Sequence, residues 1–419
     1  MVSKPKTLGR KAFRSKAISQ GEDFGLKVMV LGADGYLGRP LSLHLLRLGH
    51  EVIGVDYLSR RRRVREVGGR SAISLGNPYI WYNRVNALHG GRFDWRIADL
   101  LDGEEVEYLF EYYKPDAVVH LAEQPSAPYS QMDRKHAVDT QTNNTIGTLN
   151  VLFAIKKYAP DCHLVKLGTM GEWGTPNVDI PEGKFEIKYR GRKDTLPFPK
   201  QAGSFYHLTK VFDSHNITYT CRTWGLRSTD IMQGVVYGVV TDDMKVEGSI
   251  DMYEPALLTR FDFDQYFGTS LNRFCAQAVI DFPLTIYGSG EQKRGFIALR
   301  DSIQCITIAL NNPPEKGEYR VWNQFDECYS ILELASLVQR VGSEFGMDVK
   351  IKAIPNPRVE ASKHWYNPVR EQLPAHGFKP THTIEEELRI TLPILMKNKD
   401  RIESRRHVIL PSTDWREAK

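Results

Sequence analysis

The sequence predicts an α/β protein: a doubly wound parallel sheet followed by a smaller, less regular C-terminal lobe. Three observations carry this. A short apolar run, KVMVLG from residue 27, enters a glycine-rich turn and leaves it as a helix-spaced segment. Strand-like apolar runs then alternate with helical ones as far as about residue 232. Beyond residue 237 the rhythm stops, and Pro283, Gly288, Gly290, Pro355 and Pro357 break the chain into short pieces.

In RPLSLHLLRLG, Leu41, Leu45 and Leu48 share one helical stripe, and Gly49 ends it. EVIGVD follows as a second strand, and a helical crossover of this kind makes the two strands parallel. Segments 104–113, 138–158 and 205–224 read as helices; 117–120, 163–167 and 226–232 read as strands. Segment 176–203, rich in Gly, Pro, Lys and Asp, reads as an inserted loop or hairpin. The expected division is a basic, flexible extension at 1–25, a sheet domain at 26–236, and a ligand-binding lobe at 237–419 with some return to the sheet. The extension carries Lys4, Lys6, Arg10, Lys11, Arg14 and Lys16 before the first acid, Glu22.

Composition excludes several classes. The 419 residues hold 56 basic and 51 acidic side chains, a net +5, too small and dispersed an excess for nucleic-acid binding. No apolar run approaches the ~18 residues of a membrane span. No secretory signal precedes the first strand. Five cysteines, an odd number without a CxxC pair, argue against a disulfide framework or a zinc site, so no metal is expected. A reducing, cytoplasmic setting fits, and the basic extension leaves organelle import open.

Gly32-Ala-Asp-Gly35-Tyr-Leu-Gly38 lies between the first strand and the first helix. Glycines there allow a tight turn and let the backbone approach a pyrophosphate, which the amides and dipole of the helix start then hold. Asp56 ends the next strand, 18 residues after Gly38. A carboxylate at that place accepts hydrogen bonds from both ribose hydroxyls and repels a 2′-phosphate. The pattern is that of a Rossmann-type site for NAD. Arginines at 60–63 and 65 raise NADP as the alternative; Asp56 favours NAD, and the charge run reads as a solvated face.

Tyr206 and Lys210, in YHLTK, stand four residues apart on one helix face. A phenol is a poor base at neutral pH, and a neighbouring ammonium favours its phenolate. Such a pair can take a hydroxyl proton while hydride leaves for NAD. Thr169, after the strand 163–167, can hydrogen-bond the same substrate oxygen. Glu172 is a carboxylate that alcohol oxidation does not need but elimination beside a ketone does; a loop carboxylate or helix cap is its other reading. His207 points about 100° away from Tyr206 on a helix and reads first as structural.

Together these segments resemble the extended short-chain dehydrogenase/reductase superfamily of nucleotide-sugar epimerases and dehydratases, and within it the UDP-sulfoquinovose synthase family. The resemblance rests on SAPYS (126–130), NNTIGTLNVLFAIK (143–156), HLVKLGTMGEWGTPNVDIPEG (163–183), DTLPFPKQAGSFYHLTKVFDSHNI (194–217), TDIMQGVVYGV (229–239) and PNPRVEA (355–361). It covers roughly residues 27–377. It implies that NAD takes hydride from C4 of UDP-glucose, that water is lost across C5 and C6, that sulfite adds at C6, and that hydride returns to C4. By the same resemblance Tyr206 is the C4 base, Lys210 its electrostatic partner and Thr169 its hydrogen-bonding companion. Glu172 becomes the candidate for the C5/C6 proton transfers, and His207 lies near the sugar. Tyr36, Leu37, Asp56, Arg60, Asp99, Leu100 and Asn143 match NAD-binding positions, with Gly32, Gly35 and Gly38 forming the turn. Gln233 matches a polar position between cofactor and sugar. Leu284 and Tyr287, in LTIYG, match the uracil-contacting strand, and Arg294 and Arg358 match a diphosphate clamp. A homodimer built on the helices near 138–158 and 205–224 is implied, with room for a partner protein that supplies sulfite.

The family reads EQRSAPYS where this chain has EQPSAPYS, so Pro125 replaces an arginine beside the sugar. Proline has no N–H to donate. A second reading follows: a nucleotide-sugar 4,6- or 5,6-dehydratase or epimerase without the sulfite step. A third, a non-catalytic nucleotide-sensing protein of the same fold, is opposed by the intact Tyr206, Lys210 and Thr169.

Overall fold

The computed structural model describes residues 25–245, 252–360 and 364–417. The expected flexible extension therefore lies outside the described residues up to position 24, as does Ala361 of PNPRVEA. Strand β1 (Lys27–Leu31), helix α1 (Gly38–Arg47) and strand β2 (Glu51–Asp56) form the first unit. Helices α2 (Ser59–Glu66) and α3 (Pro78–Leu88) lead to β3 (Phe93–Ile97). Next come α4 (Gly103–Tyr113), β4 (Ala117–His120), α5 (Arg134–Gln141), α6 (Gly147–Tyr158) and β5 (His163–Thr169). The inserted segment is an antiparallel hairpin, β6 (Lys184–Tyr189) and β7 (Arg192–Pro197), and α7 (Phe205–Trp224) and β8 (Arg227–Gln233) follow it.

Strands β9 (Val235–Tyr237), β10 (Leu284–Tyr287), β11 (Lys293–Ala298), β12 (Tyr319–Gln324), β13 (Glu327–Ser330) and β14 (Ile351–Ile354) are distributed over three sheets. Helices α8 (Ser270–Val279), α9 (Leu299–Asn311), α10 (Ile331–Glu344) and α11 (Ile384–Met396) pack between them. β10 pairs with β14 in parallel, and β11 sits between β9 and β13.

The central sheet has seven strands, all parallel, in the order β12-β8-β5-β4-β1-β2-β3. Strand order turns back between β1 and β4, which opens a crevice at the carboxyl ends of the strands. Helices cover both faces, so the strands are apolar on both sides. Strand alternation sorts them: Val28, Val30, Val52 and Val119 join one core, and Met29, Leu31, Ile53 and Val118 the other. Leu41, Leu45, Ile303 and Ile306 close the first face; Leu109, Phe110, Leu152 and Ile217 close the second.

Two boundaries differ from expectation by more than one residue. The helical run expected from 138 starts at Arg134, where the Asp133 side chain accepts from His136 N. A π-turn at Thr142–Ile146 then divides α5 from α6. The segments on both sides of the π-turn remain helical in pattern, so composition does not reveal it; Asn143 lies within it and lines the cleft at the carboxyl ends of the strands. Strand β5 runs on to Thr169 because Thr169 still pairs with Gln233 of β8.

Candidate active site

A cleft of about 610 Å³ opens at the carboxyl ends of β1, β2, β4, β5 and β8. At its floor Gly32 has φ +88°, donates its N–H to Val55 O at 2.7 Å, and leads into α1. A Cβ at Gly38 would stand 2.1 Å from Gly32 O, and one at Gly32 would stand 2.7 Å from Leu121 C. Close packing of the turn against its own backbone and against the chain after β4 therefore admits no side chain at Gly32 or Gly38. Gly35, Tyr36 and Leu37 line the same stretch.

Asp56 ends β2 with Oδ2 accepting from Asp34 N (2.8 Å) and Oδ1 from Leu58 N (2.6 Å). Burial, reinforced by the Asp34 charge, pushes its carboxyl up to about 6. Asp99, Leu100 and Asn143 lie on the same wall. Arg60 donates to Asp262 Oδ2 (2.8 and 3.0 Å) and packs over the Phe267 ring at 4.1 Å. The arginine run is not the solvated face expected. Arg61 pairs with Asp34, and Arg63 reaches Asp139 and Asn143; only Arg62 and Arg65 of the run are exposed. Carboxylates contributed by neighbouring elements, which local composition does not reveal, account for the difference.

Helix α7 carries both Tyr206 and Lys210. The Ser204 hydroxyl accepts from His207 N and caps the helix start, and Gly225 ends it with φ 71°. Tyr206 and Lys210 both face the cleft, as does Thr169 at the end of β5. Burial raises the Tyr206 phenol above its ordinary value; Lys210 pulls it down and Glu123 pushes it up again. Lys210 Nζ donates to Leu167 O (2.5 Å) and lies 2.8 Å from Glu123 Oε2. Burial opposes the ammonium charge, but Glu123 and Tyr206 together outweigh it and hold Lys210 above its usual range. Glu123, just past β4, is a cleft residue that sequence reasoning missed, although it sits inside the very EQPSAPYS stretch that was read. Pro125 also lines the cleft.

His207 lines the cleft too, with its ring 5.1 Å from that of Tyr206 and Nδ1 3.0 Å from Ser204 Oγ. Burial, with Arg358 and Arg294 adding to it, pulls the imidazole down to about 4, so it is neutral at pH 7. A Cβ on Gly171 would come within 2.4 Å of His207 Nε2, so any side chain at this place in the TMGE turn would displace the imidazole.

Glu172 departs from expectation. It is fully buried and absent from the cleft wall. Its Oε1 meets Lys166 Nζ at 3.2 Å, its Oε2 meets Lys200 Nζ at 2.6 Å, and Ser214 Oγ donates to Oε2 at 2.9 Å. Thr169 and Glu172 form a reciprocal capping box around the turn after β5. Burial alone would raise its pKa, but Lys166 and Lys200 prevail and hold it at about 2. The carboxylate thus anchors the Thr169 turn from behind and does not face a sugar, because two lysines and a serine draw it inward. The Lys166 and Lys200 partners were not legible in the sequence.

Leu284 is the second correction. It is fully buried in the core, pairs with Ile351, and does not reach the cleft. On β10 the neighbours alternate, and it is Tyr287 that faces the cleft. Arg273 donates to Tyr287 Oη at 2.7 Å. Gln233, Arg294 and Arg358 also line the cleft; Gln233 donates to Ser302 Oγ, and Arg294 pairs with Glu360.

Comparison with known proteins agrees with this geometry. Residues 28–323 match the NAD dependent epimerase/dehydratase family. A chloroplastic UDP-sulfoquinovose synthase of Spinacia oleracea is 47% identical over 408 residues, which is 97% of this chain and 82% of that protein. The UDP-sulfoquinovose synthase of Sulfolobus acidocaldarius is 46% identical over 93% of this chain and 98% of its own. Among solved structures, UDP-glucose 4-epimerase from Bifidobacterium longum, in complex with NAD+ and UDP, is similar in fold, with a TM-score of 0.66 at 17% identity, covering 90% of this chain and 99% of its own. The chain belongs to the NAD-dependent epimerase/dehydratase family, on the branch of the UDP-sulfoquinovose synthases.

Proposed function

We propose that this enzyme makes a UDP-linked 6-sulfo sugar from UDP-glucose and sulfite. The observation that carries the reading is the convergence of Thr169, Tyr206, Lys210 and His207 on one cleft, beside the glycine turn and Asp56. The near-full-length identity to UDP-sulfoquinovose synthases supports the choice of substrate.

Gly32, Gly35 and Gly38 would hold the dinucleotide pyrophosphate, Asp56 the adenosine ribose, and Lys210 the end nearest the sugar. NAD, when bound, supplies a hydride acceptor at C4 and gives the hydride back. Tyr206 takes the O4 proton and Thr169 orients that oxygen. The C4 ketone makes the C5 proton acidic. His207, neutral at pH 7, takes that proton and passes it to the C6 hydroxyl, which leaves as water. Sulfite forms a bond from sulfur to C6 across the C5–C6 double bond, and C5 recovers a proton from His207, replenished by bisulfite. Tyr206 finally returns its proton to O4. Tyr287 would face the base, and Arg358 and Arg294 the diphosphate, where a planar guanidinium gives paired hydrogen bonds to phosphate oxygens.

Pro125 on the cleft wall favours a second reading, in which the reaction stops after dehydration. Mass spectrometry of the products from UDP-glucose, with and without sulfite, separates the two. Addition of sulfite less water raises the substrate mass by about 64 Da, whereas elimination alone lowers it by about 18 Da and ignores sulfite. An unchanged substrate in both mixtures would sink both readings.

The helices α5, α6 and α7 support a homodimer. Phe205, Phe212 and Tyr219 are exposed at seven-residue spacing, and Val138, Ile146 and Phe153 are exposed on the neighbouring run. Among the described residues no helix is long and apolar enough to cross a membrane.

A further inference from the structure

Residues 411–417 follow the last helical turn and contribute Trp415 to the cleft wall. Both ends of this segment are tied down. Ser412 N and Oγ donate to Gln265 Oε1 at 2.5 and 3.1 Å, and Thr413 Oγ1 lies 3.0 Å from Tyr266 Oη. At the other end Trp415 N donates to Pro357 O at 2.9 Å, and Arg416 donates to Arg358 O at 3.3 Å. The segment thus bridges two cleft-wall loops that are distant in sequence, one carrying Tyr266 and the other Arg358.

Trp415 is placed against a functional side chain. The Arg358 guanidinium lies 5.4 Å from the centroid of the Trp415 ring and 6.0 Å from that of Tyr287. Among the described residues no acceptor takes a hydrogen bond from this guanidinium, although it lines the cleft. Burial acts against its charge, and Glu360 only partly offsets that. A cation in such a place gains from aromatic faces, which hold its plane while leaving its N–H edge free for an acceptor. An anionic ligand with two adjacent acceptor oxygens would complete it.

We propose that Trp415 is a positioning residue for the nucleotide diphosphate: it braces Arg358 in the orientation that receives the phosphates, and residues 411–417 form the strap that holds it there. The proposal rests on the UDP-sugar reading given above. Binding is tightened because Arg358 is held in place before the ligand arrives, which spares the cost of ordering it on binding. The strap contacts no reacting group, so it acts on affinity and not on the chemical step.

The test uses the full-length holoenzyme, with UDP as the calorimetric probe and UDP-glucose as substrate. Trp415→Ala is expected to raise the Kd for UDP and the KM for UDP-glucose about tenfold. Its kcat should stay within about twofold of the parent, the pattern of lost uniform binding. Trp415→Phe, which keeps an aromatic face, should recover most of the affinity. Deletion of 411–419 should match Trp415→Ala. The melting temperature and bound NAD should be unchanged in both point variants. Unchanged UDP affinity in Trp415→Ala, a fall in kcat at constant KM, or an affinity loss that Phe does not rescue would each overturn the proposal. If the parent enzyme itself fails to bind UDP, the UDP-sugar reading falls, and the strap proposal with it. If the parent binds UDP and Trp415→Ala binds equally well, only the strap proposal falls.

Discussion

Tyr206, His207 and Glu172 lie within one short stretch of space but differ in what surrounds them. Tyr206 faces the cleft beside Lys210, so Tyr206→Phe should lower kcat by about 10³ while UDP binding is kept, a split that steady-state kinetics and calorimetry read directly. Burial, with Arg358 and Arg294 nearby, pulls the His207 imidazole down to about 4 from an ordinary 6.5. A base depressed in this way is neutral and available from pH 7 down to about 4, so kcat should show no limb near 6.5 from this group. Its linkage runs the same way: the unfolded chain binds the proton first, so stability falls as pH drops from 6.5 through about 4. His207→Gln should still oxidise C4, visible as bound reduced nicotinamide, but should lose exchange of the C5 proton with deuterated solvent. Retained exchange would remove His207 from the C5 step. Glu172 is held at about 2 against an ordinary 4.5. Its stabilisation is complete above pH 4.5 and is lost as pH falls through about 2. Glu172→Gln leaves Lys166 and Lys200 short of a counter-charge, and should cost about 3–5 kcal/mol of stability, read by denaturant titration. A variant with normal stability and no C5 exchange would restore Glu172 to the chemistry.

Helix α7 carries two faces with separate work. One presents Tyr206 and Lys210 to the cleft, and the other leaves Phe205, Phe212 and Tyr219 exposed. Aromatic residues repeated every seven positions on an uncovered helix suit burial against a second helix pair. Phe212→Asp is therefore expected to convert a dimer into a monomer in light scattering, with the fold kept in circular dichroism. The turn after β5 is equally constrained. Gly171→Ala would press a methyl group into His207 Nε2, so the imidazole must swing away, and activity should drop while the melting temperature changes little. How much of these elements was legible varied. The boundaries of α7 match the helix expected at 205–224, because a serine cap and a terminal glycine frame a long helical pattern. The π-turn carrying Asn143 was not legible, since the segments on both sides of it are helical in pattern and no proline marks the change of hydrogen bonding.

At the scale of the molecule, the cofactor site is closed by contacts between residues some 200 positions apart. Tyr36 Oη donates to Gly238 O at 2.5 Å, Thr259 Oγ1 donates to Tyr36 O at 2.8 Å, and Arg60 pairs with Asp262. A cycle that returns its hydride has no need to release the cofactor, and these clasps suit retention. The purified enzyme is expected to leave gel filtration with NAD bound, and Arg60→Ala to lose it; an Arg60→Ala protein with undiminished NAD would show that the clasp is idle.

The sequence by itself determined the parallel sheet, the glycine turn, Asp56 and the Tyr206–Lys210 pair, because each is a local pattern: apolar alternation, fixed spacing and helix-face geometry suffice. The resemblance to a known family also pointed to Tyr287, Arg294 and Arg358, which line the cleft. Only the tertiary structure decided which of these side chains share a cleft. It turned Glu172 inward through Lys166 and Lys200, placed Leu284 in the core on the strand face opposite Tyr287, and set Glu123 against Lys210. It also brought Trp415 over Arg358, 57 positions away. The physical reason is that burial and charge pairing depend on partners distant in the chain. The energy of a carboxylate is fixed by the cations that surround it in space, and spacing along the sequence does not record them.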